Sequence, residues 1–212
     1  MNKMKRNPLI DYARYFFAFL VVCIHVPLAH GGAIIWPFAR CAVPFFYLVT
    51  GYFLGKACSD DKSILAFKLK KSCHKWLNLW LKYTLALLFI SIILDVCLGQ
   101  IESWTWNDTY TMLMSGVCAF IDQHEWKLQT YGISTLWFLY CGFLAFCIIY
   151  IMRKFVYTAW FLLIIIICQV SFVFFIYNGV TNWLFFYSTL PFLYYGMLIG
   201  HYSLLSGENS PK

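Results

Sequence analysis

Residues 160–177 read WFLLIIIICQVSFVFFIY, and Gln169 is the only strongly polar side chain in that run. A hydrocarbon core about 30 Å thick needs roughly 20 residues of helix to cross it. A run this long and this apolar therefore reads as a helix solvated by lipid. Working outward, five more segments qualify or come close: Leu9–Ala29, Trp36–Ala57, Leu77–Leu98, Ser134–Met152 and Trp183–Tyr202. Together with Val156–Tyr177 they predict an all-α, polytopic integral membrane bundle of about six transmembrane helices.

Composition agrees with that reading. The chain is 62% hydrophobic and 12% charged, against about 25% charged in an ordinary soluble domain. Trp and Tyr, abundant here, favour the membrane interface. The net charge of +7 does not point to nucleic acid, because the basic residues gather in short segments between apolar runs. Lys3, Lys5 and Arg6 precede the first segment, Lys56 to Lys75 follow the second, and Arg153 and Lys154 follow the fourth. If every segment crosses once, all three groups fall on one side, which predicts cytoplasmic N- and C-termini. On that reading the stretch after the second helix is a basic cytoplasmic loop. Gly99–Ile133 is the one long external stretch, and Met112–Phe120 within it is suited to the interface.

The N-terminal run is a retained helix and not a signal peptide, because it is about 20 residues long, lacks a small-x-small cleavage site and holds Asp11, Arg14 and His25. The nine cysteines form no C-x-x-C pair, so neither a metal site nor a disulfide framework is expected. Residues 1–203 read as one membrane domain and 204–212 as a polar tail.

The first two segments carry the chemistry. An ionisable group inside a membrane helix costs roughly 2.5–3.5 kcal/mol on insertion scales, so it calls for a reason. Arg14 and His25 are eleven residues apart, which returns them to within about 20° of each other and about 16 Å apart along the axis. Asp11, three residues before Arg14, can pair with it. In the second segment Arg40, Pro44 and Gly51 fall within about 40° on a helical wheel. A kink at Pro44 and a small residue at Gly51 beside an Arg suit a polar cavity. His30, next to Gly31–Gly32 and close to His25, is a candidate group on the acceptor side. His74 and His124 read as solvated loop residues, and His201 as a group that meets carbonyls at a helix end. A transporter or flippase, with the same Arg and His lining a path, explains the polar stripe without chemistry.

These residues resemble acyltransferase family 3, the integral membrane enzymes that O-acylate cell-surface sugars. Ile10-Asp11-Tyr12-Ala13-Arg14, followed by Val21-Val22-Cys23-Ile24-His25, is similar to the family's Asp-x-x-Arg start and its Arg-to-His spacing. Arg40-Cys41-Ala42-Val43-Pro44-Phe45-Phe46 through Thr50-Gly51-Tyr52 resembles its Arg-x-x-x-Pro-x-Phe-Phe…Ser-Gly-Tyr pattern, with Thr50 in place of the usual Ser. Leu136-Trp137-Phe138-Leu139 and Leu190-Pro191-Phe192…Gly196 are weaker echoes. The resemblance implies transfer of an acyl group, typically acetyl, from cytoplasmic acetyl-CoA or another acyl-CoA to a hydroxyl of an extracytoplasmic glycan or lipid-linked sugar. His25 is then the catalytic histidine. Arg14 and Arg40 bind the donor or organise the site, with Asp11, Thr50 and His30 beside them. No tightly bound cofactor is implied, and the setting is a multi-pass protein of the plasma or inner membrane. Family members continue with further helices where this sequence stops, so a shortened, inactive relative and a second chain supplying those helices are the accompanying expectations.

Overall fold

The computed structural model describes residues 8–25, 38–58, 62–97, 136–177 and 189–205. These are helices and the turns that adjoin them, with no strand among the described residues. In chain order they are α1 (Pro8–His25), α2 (Ala42–Lys56), α3 (Lys62–Cys97), α4 (Trp137–Ile151), α5 (Ala159–Tyr177) and α6 (Leu190–Leu205). Phe38–Lys56 is the one described helix that meets length and apolarity criteria for a membrane crossing, and Phe138–Ile151 and Ala159–Ser171 are shorter apolar helices. The Gly99–Ile133 stretch, His124 and the end of the polar tail lie outside the described residues.

Local chemistry sets several helix ends. Pro8, Pro44 and Pro191 each sit in the first turn of a helix, where a missing N–H removes no ladder bond. Thr158 precedes α5 and its hydroxyl accepts the Phe161 N–H at 3.3 Å, the N-cap geometry. Arg153 donates to the Tyr150 carbonyl at 2.9 Å, and Lys68 donates to the Ala57 carbonyl at 2.7 Å. Cations thus meet the carbonyls left unpaired at the ends of α4 and α2.

One expectation is corrected here. The basic stretch after α2 is not a loop: from Lys62 it is helical and continuous with the third apolar segment, giving a helix of 36 residues, about 54 Å long. Leu65, Leu69 and Trp76 recur at helical spacing and bury one side of it in the main core, which outweighs the polarity of the rest. His74 is accordingly exposed on a helix and not on a loop. The break expected at Pro44 in the second segment is present: within Phe38–Lys56 the helix is interrupted at the turn residue Cys41, three residues before Pro44.

α2 is the centre of the assembly. On one side it packs backbone to backbone against α6. A Cβ added at Gly51 would overlap the Leu193 carbonyl, one at Gly55 the Met197 carbonyl, one at Gly196 the Leu48 carbonyl and one at Gly200 the Tyr52 carbonyl. The pairs 51/193 and 55/197 ascend together, so α2 and α6 run parallel. On a second side Tyr47 stacks on Trp76 at 5.8 Å and donates to the Phe138 carbonyl, tying α2 to α3 and α4. Those two run antiparallel, through Trp80 against Tyr140 at 5.2 Å and Cys73 Sγ against Cys147 Sγ at 3.8 Å. α5 is antiparallel to α6: Tyr157 stacks on His201 at 4.0 Å, and farther along Tyr195 donates to Gln169 Oε1 at 2.7 Å.

One end of the bundle gathers the α2 C-terminus, the α3 N-terminus, the turn at 152–158 and the end of α6. Cys58, Leu65, Leu69, Val156 and Met197 form one apolar cluster there. Burial pushes the Cys58 thiol up, and the Lys68 ammonium partly offsets that rise.

Candidate functional site

α1 lies antiparallel on a third side of α2. Phe17 stacks on Phe45 with centroids 4.0 Å apart and planes at 20°, and Leu20 buries against Ala39 and Ala42. That register carries Arg14 toward the other end of α2. Its guanidinium sits 5.0 Å above the Phe53 ring, while its Nη1 lies 3.6 Å from Asp11 Oδ1. The pairing expected from the Asp11–Arg14 spacing is therefore present. Both side chains remain 41% exposed, so the guanidinium keeps donors facing outward. A planar, permanently charged fork of this kind is suited to a phosphate or a developing oxyanion.

Thr50 lies on α2 one turn before Phe53, and its hydroxyl donates to the Phe46 carbonyl at 2.7 Å. That bond uses the hydroxyl proton and leaves the oxygen lone pairs as acceptors. Arg40 stands at the opposite end of α2, exposed, in the helical turn that precedes it. His25 is the last residue of α1; since Leu20 already packs on Ala39 and Ala42, the end of α1 lies toward Arg40. The side chain of His25, and His30 entirely, lie outside the described residues. The structure thus brings Asp11 and Arg14 to α2 near Thr50 and leaves Arg40 some ten residues of helix away, about 15 Å.

Two details of the expected site change. Gly51 does not border a polar cavity beside Arg40, because the α6 backbone fills that side of α2. His201 makes no carbonyl bond among the described residues: it stacks on Tyr157 and its buried Nδ1 has no hydrogen-bond partner there. Phe53, the shelf under Arg14, was not visible as a site residue, since only the α1–α2 register pairs the two. Among the described residues no group of three His, Cys, Asp or Glu side chains could hold a metal.

The arrangement is that of an apolar helical bundle with an arginine-bearing helix laid on its central helix. Residues 7–210 match the family model described as an acyltransferase domain, and the chain belongs to acyltransferase family 3, a membrane-associated family. No curated protein and no solved structure matches it.

Proposed function

We propose that the chain is a multi-pass acyltransferase of the plasma or inner membrane, with both termini cytoplasmic. It moves an acyl group, acetyl in the first instance, from acyl-CoA to a hydroxyl of a cell-surface or lipid-linked sugar. The observation that carries this reading is Arg14, held between Asp11 and the Phe53 ring with donors to spare, on the helix that ends in His25. Alternating helix directions support six crossings, and the lysines and arginines at one bundle end support a cytoplasmic assignment of that end.

His25, with a neutral imidazole, takes the proton of the sugar hydroxyl as its oxygen attacks the thioester carbonyl. The tetrahedral oxyanion collapses, the C–S bond breaks, and the coenzyme A thiolate recovers a proton from the imidazolium. Arg14, about 16 Å along α1 from His25, binds the donor phosphates, and Asp11 with Phe53 orients it. Arg40 supplies a second cation toward the His25 end, and Thr50 and His30 are polar contacts for donor and acceptor.

The test is transfer of radiolabel from acetyl-CoA to glycan in membranes that express the chain, beside His25→Ala at equal abundance. Label in the native sample and background in the variant is expected. Equal label in both removes His25 from the mechanism, and no label in either leaves a non-catalytic family member or one half of a larger enzyme.

A further inference from the structure

The continuity of α3 has a chemical consequence. Lys68, bonded to the Ala57 carbonyl, marks where α3 passes the end of α2. Past that point α3 runs alongside the apolar segments of α2 and α4, with Cys73 level with Cys147 and Trp76 against Phe146. Leu65, Leu69 and Trp76 take the core side. Lys70, Lys71, His74 and Lys75 are all exposed on the side turned away from it. Asp11 is engaged with Arg14 on another helix, and Asp95 lies twenty residues beyond Lys75 on α3, about 30 Å away.

We propose that this outward face of α3 is a binding site for the headgroup phosphate of an anionic phospholipid, formed by Lys70, Lys71, His74 and Lys75. The four lie within six residues of α3, about 8 Å of helix, starting two residues from Lys68. Their position matches the depth at which headgroups meet acyl chains, and flexible lysine stems reach back to that level. The same side of the helix has the polarity profile of a lipid. Phe67, 68% exposed, lies on the outer flank of the basic group, and Leu85 and Phe89, 59% and 65% exposed, lie farther in where chains would run. Asn78 and Lys82 are also exposed on this side, but Lys82 is seven residues past Lys75, about 10 Å, beyond reach of the same phosphate. A soluble anion has the charge but not the apolar body that this surface continues into, which favours a lipid. Clustered lysines at an anionic leaflet gain about fivefold in affinity each.

The full chain in detergent is titrated with dioctanoyl phosphatidylglycerol and, separately, dioctanoyl phosphatidylcholine, and binding is read by native mass spectrometry and thermal shift. The anionic lipid is expected to bind about tenfold or more tightly than the zwitterionic one. Lys70→Glu/Lys71→Glu/Lys75→Glu should reduce that preference to within about twofold, while Lys154→Glu in the neighbouring turn leaves it unchanged. If the charge-reversed chain does not fold, the Lys70→Gln/Lys71→Gln/Lys75→Gln chain carries the same expectation. Equal binding of the two lipids, a preference that survives the substitutions, or displacement of the anionic lipid by free coenzyme A would each overturn the assignment.

Discussion

A guanidinium 3.6 Å from a carboxylate, with both side chains 41% exposed, gains little stability from the pair; such pairs are worth about 0–1 kcal/mol. A ring 5.0 Å below the charge adds about as much again. Contacts this weak act on Arg14 chiefly by orienting its guanidinium. Arg14→Lys keeps the charge but loses the planar fork, and it should cut acyl transfer about tenfold or more with melting unchanged. Phe53→Leu should lower kcat/KM about two- to fivefold, the rate equivalent of a cation–π contact. The two changes should be non-additive in a double-mutant cycle, because they act through one side chain. Additive losses would show that Phe53 does not orient Arg14. The Asp11–Arg14 pair could be read from a three-residue spacing, since both members belong to one helix. Phe53 could not, because its role depends on how far α1 slides along α2. That register is set by Phe17 on Phe45 and Leu20 on Ala39 and Ala42, contacts with no local signal.

At the scale of elements, the α2–α6 contact is closer than any side-chain packing allows. Gly51, Gly55, Gly196 and Gly200 alternate across it so that each backbone rests on the other. Lipid provides no hydrophobic drive for helix association, so this proximity stabilises through dispersion and Cα–H···O contacts. Gly196→Ala would press a methyl onto the Leu48 carbonyl, which has no rotamer by which to withdraw. A loss of about 1–3 kcal/mol is expected, seen as a lower thermal midpoint in detergent. Gly142→Ala meets the Trp76 ring, a side chain that can shift, so its loss should be clearly smaller. The reverse order would place the tight contact elsewhere. Helix existence was legible in the apolar runs, and the close approach of Gly51 was legible in its type. The length of α3 was not. Lysines every few residues read as a solvated loop, whereas Leu65, Leu69 and Trp76 bind that stretch into the core, and their spacing is sparse enough to be missed.

For the whole molecule, the helix directions form a parity argument. α2 and α6 are parallel and adjacent, and α3, α4 and α5 lie between them in the chain. α3 reverses α2 (Lys68 beside Ala57, Trp76 beside Tyr47), α4 reverses α3, and α6 reverses α5. A surface-lying helix among them would flip the parity and make α2 and α6 antiparallel. α1 is antiparallel to α2, so among the described helices the start of α1 and the end of α6 lie at the same end of the bundle. Lys56, Lys68, Arg153 and Lys154 all lie at the bundle end nearer the N-terminus of α1, and under the proposed multi-pass reading the positive-inside bias would place that end in the cytoplasm. Epitopes placed before Met1 and after Lys212 should therefore be detected only after cells are permeabilised. One inserted after Asn107, in the stretch between α3 and α4, should be detected in intact cells. Termini on opposite sides would mean that one helix does not cross, and the first to suspect is α3, whose basic half lies beside apolar neighbours.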